Sequence, residues 1–132
     1  MRIVITGTPK GGKTYLSETL EAVLKIPVFH TDSLKDKDWS VASEEASYWF
    51  NRPDPWIIEG TMVPRALRKW KNRLDEESAD ESRYVPPFDR IVVMRTPRLQ
   101  LMLQGQETMR KVVLELIDSY KPWIGEERWV EL

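Results

Sequence analysis

The sequence predicts an α/β protein in which a parallel sheet of four to five strands is flanked by helices in three layers. Two observations predict this fold. Short, β-branched apolar runs alternate along the chain with longer segments of helical period. The first of these runs leads directly into a glycine-rich loop and then an amphipathic segment. With 132 residues, the chain is expected to form a single domain over 1–132.

Four apolar runs have the length and composition of buried parallel strands. They are Arg2–Thr6, Val28–Thr31, Trp56–Glu59 and Arg90–Arg95. The run Arg128–Leu132 is expected to add a fifth strand at one edge of the sheet.

Apolar residues at helical spacing predict the helices between these strands. The predicted helices are Lys13–Lys25, Ser43–Phe50, Pro64–Leu74 and a last helix through Met109 and Tyr120 that Pro122 ends. In the first helix one apolar face is predicted, formed by Leu16, Leu20, Val23 and Leu24. Two connecting segments are also assigned. Asp75–Ser82 is expected to be an exposed acidic loop, and Leu99–Leu103 either begins the last helix or forms a separate one, with Gly105 as the break.

Composition excludes several classes of protein. The formal net charge is −1, which leaves no overall basic field for nucleic acid. The chain has no cysteine, so it has neither disulfides nor thiolate metal sites. No apolar run approaches the ~18 residues of a membrane span. We therefore expect a cytoplasmic protein with no membrane partner.

The glycine-rich loop carries the strongest signal of function. Gly7-Thr8-Pro9-Lys10-Gly11-Gly12-Lys13-Thr14 matches the pattern G-x-x-x-x-G-K-[ST] at every fixed position. The glycines let the chain turn off the strand and let backbone N–H groups close around phosphates. The helix that follows offers unpaired N–H groups to an anion. Lys13 is expected to reach the β- and γ-phosphates, and the Thr14 hydroxyl to ligate Mg²⁺. The sequence thus predicts a P-loop that binds ATP or GTP with Mg²⁺.

The order of three segments resembles the nucleotide-kinase-like P-loop proteins. The segments are the loop Gly7–Thr14, Thr31-Asp32-Ser33 after the second strand, and Trp56-Ile57-Ile58-Glu59-Gly60-Thr61 at the third. This group includes nucleoside and nucleotide kinases, shikimate-type kinases, polynucleotide kinases and topology-modulation-type proteins, and the last are the most similar. The resemblance implies a sheet with the first strand between the third and fourth, and transfer of the γ-phosphoryl group to a hydroxyl or phosphate acceptor.

The resemblance also implies roles for residues beyond the loop. Asp32 would bind the acceptor hydroxyl or act as its general base, and would touch Mg²⁺ through water; its alternative is a helix N-cap or an ordinary turn residue. Glu59 would be a second acid or an acceptor ligand, or else a strand-end cap. Arg65, with Arg68 one turn on, would bind an anionic acceptor, or else belong to a solvated basic face. Arg98 and Arg110 are the candidates for stabilising charge in the transition state, and of the two Arg98 is preferred.

Two further residue types have ordinary structural interpretations. His30 is expected to be packed or hydrogen-bonded, and most of the six tryptophans are expected to fill the core. One of Trp39 and Trp49 is a candidate for stacking on a planar acceptor.

Three functions remain open on the sequence. The first is a kinase for a small acceptor, with a nucleoside or nucleotide as the leading class. The second is a kinase for a nucleic-acid 5′-hydroxyl end, contacted by the basic residues from Arg65 to Arg73. The third is a nucleotide-binding module or weak ATPase that transfers nothing. The short interval from Leu99 to Thr108, where related kinases carry a lid, favours the third.

Overall fold

A computed structural model describes residues 1–77, 85–98 and 104–132. Its five strands form one parallel sheet in the order β2-β3-β1-β4-β5. The strands are β1 Arg2–Gly7, β2 Val28–His30, β3 Trp56–Glu59, β4 Arg90–Met94 and β5 Trp129–Glu131. The predicted α/β class is confirmed, and β1 lies between β3 and β4 as the resemblance implied.

Five α-helices connect and cover the described strands. They are α1 Lys13–Leu24, α2 Trp39–Ser47, α3 Val63–Glu77, α4 Gln104–Ser119 and α5 Lys121–Ile124. Short 3-10 turns run over Thr31–Leu34, Tyr48–Asn51 and Glu126–Arg128. No helix within the described ranges is long and apolar enough to cross a bilayer.

Alternation along the central strands divides the core between the two faces of the sheet. Ile3, Ile5 and Ile57 pack with Leu16 and Leu20 of α1 on one face. The larger cluster, on the other face, takes Val4, Ile58, Ile91 and Val93 from the strands and apolar residues from α2 to α5. Burying each such side chain contributes about 1.5–3 kcal/mol, so the sheet is held from both sides.

The predicted apolar face of α1 is wrong in its last turn. Val23 and Leu24 are 71% and 45% exposed. Lys25 ends the helix in the left-handed conformation, with φ 56°. The chain therefore turns back, and Ile26 reaches the core cluster in place of Val23 and Leu24.

Several element boundaries also differ from the prediction. Thr31 belongs to the 3-10 turn rather than to β2. The second helix starts at Trp39 because the carboxylate of Asp38 accepts the backbone N–H of Ser40 at 3.0 Å, a cap that the prediction overlooked. It ends at Ser47, and Phe50 lies in the 3-10 turn that follows.

The two predicted connecting segments are corrected where the structure describes them. Asp75 to Glu77 continue α3, supported by an ion pair of Asp75 with Lys71 at 3.7 Å, and the rest of the predicted acidic loop, 78–82, lies outside the described residues. Gly105 does not break a helix but lies in the first turn of α4, where a Cβ would meet nothing within 4 Å. Leu99–Leu103 lies outside the described residues.

The start of β1 is tied to the start of β4 by Asp89. Its carboxylate accepts the backbone N–H of Arg2 at 2.7 Å and a guanidinium N–H of Arg2 at 3.3 Å. These bonds, the backbone one first, hold the pKa of Asp89 below the ordinary carboxyl value.

We expect Asp89→Asn to lower the free energy of unfolding at neutral pH and to matter less in acid. The folded state holds the Asp89 proton less tightly than the unfolded state, so its stabilisation is present above the ordinary carboxyl pKa. It is lost as pH falls through the lowered folded pKa. Urea unfolding of both proteins across pH 2–7 checks this. A difference that stays constant down to the lowest pH would contradict it.

Candidate functional site

The carboxyl ends of the neighbouring strands β1, β2 and β3 meet at one edge of the sheet, where ligands of α/β proteins bind. A cavity of about 650 Å³ opens there, and we call it the nucleotide cavity. The loop, the segments that follow β2, β3 and β4, and α4 contribute to its lining. The lining residues are Pro9, Lys10, Gly11, Gly12, Lys13, Thr14, Asp32, Glu59, Gly60, Thr61, Arg98, Gln106 and Met109.

The loop is held in shape by backbone contacts to neighbouring segments. The N–H of Thr8 donates to the carbonyl of Met94 in β4 at 2.8 Å, and the carbonyl of Lys10 accepts the N–H of Arg98 at the same distance. Gly12, with φ 92°, is the residue before α1, and its carbonyl starts the helix by accepting the N–H of Leu16. The N-terminal N–H groups of a helix favour an anion beside them.

Lys13 is only 8% exposed and lies inside this loop. Its Nζ donates to the carbonyl of Thr8 at 2.7 Å. Burial lowers the pKa of Lys13, while the charges of Glu59 and Asp32 oppose the shift. The Lys13 amine and the carboxylates of Glu59 and Asp32 are therefore close enough to interact electrostatically.

Glu59 ends β3 and is 2% exposed, although it is a carboxylate. Its Oε1 lies 2.6 Å from Nδ1 of His30 and 3.5 Å from the hydroxyl of Thr14. Glu59 thus joins β2 to the first turn of α1 and lines the nucleotide cavity. His30 is hydrogen-bonded, as the sequence predicted, but its partner is a residue of the candidate site.

Asp32 lies in the 3-10 turn after β2, with an exposed side chain that lines the same cavity. The residue that caps α2 is Asp38, so of the two structural alternatives for Asp32 the structure bears out the turn residue. The same turn brings Asp32 to the wall of the cavity that the loop also lines.

Gly60 lets the chain after β3 pass very close to this turn. With φ 146°, its position disfavours any side chain, and a Cβ there would stand 1.7 Å from Oγ1 of Thr31. Its carbonyl accepts the hydroxyl of Thr6 at 2.8 Å, so three strand ends are packed together at this point.

We expect Gly60→Ala to lower the free energy of unfolding by more than the cost of backbone strain alone, which is about 1–3 kcal/mol. The added Cβ would also overlap the side chain of Thr31. The control is Gly105→Ala, where the space is open and the backbone is helical. This second change is expected to add up to about 1 kcal/mol of stability. Thermal unfolding of both variants checks the pair, and equal midpoints would contradict the packing described.

The two candidate arginines after β4 have different surroundings. The Arg98 side chain lies on the loop, since a Cβ on Gly12 would be 2.8 Å from its Cδ, and it lines the nucleotide cavity. Arg110 bonds through Nε to the carbonyl of Arg95 at 3.3 Å and through NH1 to Glu107. Arg110 is not among the described residues that line this cavity, so of the two arginines only Arg98 is placed at it.

A second cavity, of about 560 Å³, lies between α2, α3 and α4, and we call it the acceptor cavity. Thr61 and Met109 line both cavities. The acceptor cavity is lined by Trp39, Thr61, Pro64, Arg65, Arg68, Gly105, Thr108, Met109, Val112, Val113 and Leu116. Its described lining is therefore largely apolar, with two cations and no acid.

Arg65 is the polar group most directly engaged with this cavity. Its guanidinium carbon lies 5.8 Å from the ring centroid of Trp39. Its Nε is buried and has no hydrogen-bond partner within the described ranges. Arg65 lines a cavity whose described lining holds no carboxylate, so an anion in the cavity would be favourable. Trp39 lines the same cavity, whereas Trp49 packs against Phe29.

The rest of the basic stretch on α3 is used within the protein. Lys69 donates to the carbonyl of Ser40, Lys71 pairs with Asp75, and Arg73 pairs with Glu44 at 3.2 Å. These contacts fasten α3 to α2 or to itself. They leave Arg65 and Arg68 as the cations of α3 that line the acceptor cavity.

Sequence reasoning assigned no role to four residues that line the nucleotide cavity: Gly60, Thr61, Gln106 and Met109. Gly60 and Thr61 follow Glu59, which had been assigned, so their neighbourhood was the available signal. Gln106 and Met109 come from α4, in a segment expected to be a lid or the buried side of a helix. No local pattern showed that the first turns of α4 face the loop.

The side chains at the cavity wall fit a magnesium ion. Thr14, Glu59 and Asp32 supply a hydroxyl and two carboxylates, the hard oxygen ligands that Mg²⁺ prefers. Within the described residues, no three His, Asp or Glu side chains are grouped to hold a metal by themselves. In sites that hold Mg²⁺ with phosphates, one or two protein groups act together with the phosphates and water.

Comparison with known proteins supports the fold. A gluconokinase from Sinorhizobium meliloti 1021 matches over 99% of this chain and 81% of its own, with TM-score 0.60 and 15% identity. The chain has a P-loop kinase fold. A shikimate kinase from Bacteroides thetaiotaomicron matches over 98% and 84%, with TM-score 0.48 and 12% identity. No protein-family model and no curated protein sequence matches the chain.

Proposed function

We propose that this protein is a magnesium-dependent kinase that transfers the γ-phosphoryl group of ATP or GTP to a hydroxyl of a small acceptor. The observation that carries the proposal is the pair of adjoining cavities. One is built on the P-loop, and the other shares Thr61 and Met109 with it. Two reactants bound side by side are what direct transfer requires, because holding them in place removes much of the entropic barrier.

In the proposed transfer reaction, each charged residue of the nucleotide cavity has a separate role. The bond between the γ-phosphorus and the bridging oxygen breaks, and a bond from that phosphorus to the acceptor oxygen forms. Lys13 and Arg98 would stabilise the charge on the phosphoryl oxygens and the leaving diphosphate. Asp32 would accept the proton of the acceptor hydroxyl. Mg²⁺, held through Thr14 with Glu59 and Asp32 near it, would neutralise phosphate charge.

The lining of the acceptor cavity suggests the chemistry of the acceptor. Arg65 and Arg68 present two cations in a described lining that holds no acid, which suits an anionic group. Trp39 and the apolar side chains of α4 suit a flat or apolar body more than a polyhydroxy chain. A nucleoside or nucleotide carries both a planar ring and a hydroxyl, and the nucleotide adds the anion. We therefore keep this class as the leading acceptor.

One observation favours a second candidate, a nucleotide-binding module or weak ATPase without transfer. Helix α4 begins at Gln104, so residues 104–108 of the expected lid interval are helical. A small covering segment would exclude water poorly, and water would compete with an acceptor hydroxyl. For a nucleic-acid end there is no comparable support, since Lys69, Lys71 and Arg73 are engaged within the protein.

The deciding experiment is transfer of labelled γ-phosphate to a panel of acceptors with Mg²⁺. The panel holds nucleosides, nucleoside monophosphates, small sugar acids and oligonucleotides with a 5′-hydroxyl. Label on a small acceptor, and most of all on a nucleoside or its monophosphate, is the expected result. Label released only as inorganic phosphate would favour the second candidate. Label only on oligonucleotides would contradict the small acceptor.

We expect Lys13→Ala to reduce turnover by about 10²–10³-fold, because it removes a buried cation aimed into the loop. The matched control is Lys111→Ala, an exposed lysine of α4 that should leave turnover unchanged. Steady-state rates and nucleotide affinity measure both. Unchanged affinity and rate in Lys13→Ala would contradict the site.

Asp32→Asn is expected to lower transfer by about 10²–10⁴-fold while changing nucleotide affinity far less, because the amide cannot accept the proton. Asp36→Asn, a nearby exposed acid, serves as the control. Single-turnover transfer and a separate binding titration give the two quantities. Equal losses in both would show that Asp32 does not act as the base.

A further inference from the structure

His30 and Glu59 meet because of the register between two parallel strands. The two residues are direct partners in the pairing of β2 with β3, so their side chains leave the same face of the sheet. Nδ1 of His30 lies 2.6 Å from Oε1 of Glu59. A carboxylate oxygen accepts, so Nδ1 carries the hydrogen of this bond.

The same oxygen of Glu59 faces the P-loop. Oε1 lies 3.5 Å from the hydroxyl of Thr14, at the outer limit of a hydrogen bond. The carboxylate is almost fully buried, and a glutamate side chain has three rotatable bonds, so its direction depends on what holds it. The short bond to His30 is the closest described contact of Oε1 and so the main constraint on where this oxygen points.

His30 itself acts at a distance from any nucleotide. It is not among the described residues that line the nucleotide cavity, and about a third of its side chain is exposed. Its backbone carbonyl separately accepts the hydroxyl of Ser33 at 2.8 Å, a contact that shapes the turn carrying Asp32. The imidazole and the backbone of one residue thus support different parts of the site.

We propose that His30 is a positioning residue for the magnesium site, acting through Glu59. The imidazole holds Oε1 of Glu59 beside the Thr14 hydroxyl, where the carboxylate can orient that hydroxyl and the water around a Mg²⁺–nucleotide complex. Partners of this kind commonly change metal affinity or activity by about 10–100-fold. The inference rests on the proposed function, because it assumes that the P-loop binds a nucleotide with Mg²⁺.

The test measures affinity for a fluorescent nucleotide analogue with Mg²⁺ and with EDTA, which requires no acceptor and no turnover. We call the ratio of nucleotide affinity with Mg²⁺ to that with EDTA the Mg²⁺ gain. In His30→Ala we expect the Mg²⁺ gain to fall about tenfold, while the affinity in EDTA stays near that of the wild-type protein. His30→Asn places an amide N–H near the position of Nδ1 and is expected to restore most of the gain. Ser33→Ala, which removes only the backbone contact, should keep it.

A double-mutant cycle separates positioning from a general structural effect. If His30 acts through Glu59, His30→Ala should lower the Mg²⁺ gain little further in a Glu59→Gln background. The inference would be overturned if His30→Ala kept the full Mg²⁺ gain in nucleotide affinity. It would also be overturned if both His30 variants lost nucleotide affinity equally in EDTA and in Mg²⁺. Neither result would contradict the kinase proposal. No Mg²⁺-dependent binding in the unchanged protein would overturn both.

Discussion

The site depends on one constraint, the passage of the chain from β1 into α1 through a glycine-rich loop that lines a cavity. Two backbone hydrogen bonds hold this loop. The carbonyl of Met94 in β4 accepts the N–H of Thr8, and the carbonyl of Lys10 accepts the N–H of Arg98, which follows β4. Lys13 is buried inside the turn. Burial of an amine is unfavourable and lowers its pKa, and the protein offsets this with two nearby carboxylates. The loop thus holds a buried amine whose positive charge is favoured by two nearby acids.

The rest of the candidate site is arranged around that region by the parallel sheet. Because neighbouring strands end at one edge, Asp32 and Glu59 reach the loop from two separate stretches of chain. Helices α2, α3 and α4 then enclose a second space beside the first. Its described lining has two arginines and no acid, whereas the lining of the first has both cations and carboxylates. Thr61 and Met109, which line both, mark the place where two reactants would meet.

The sequence predicted those features of the fold and the site that depend on residues close together in the chain. The strands and the P-loop are local patterns, and β-branched runs and fixed glycines predicted them within a residue or two. The start of α2 was missed because a single residue, Asp38, decides it. The exposure of Val23 and Leu24 depends on where Lys25 turns the chain, which helical period alone does not show. The His30–Glu59 pair and the contribution of Gln106 required the strand register and the docking of α4, and these are tertiary facts.

The central claim is that the backbone amides at the start of α1 bind the phosphates of a nucleotide. Titration of the ¹⁵N-labelled protein with a non-hydrolysable ATP analogue and Mg²⁺ tests it most directly. The account predicts saturable shifts that are largest for the amides of Gly11, Gly12, Lys13 and Thr14. Amides of this segment that stay unchanged at saturation, or largest shifts at a distant surface, would contradict it.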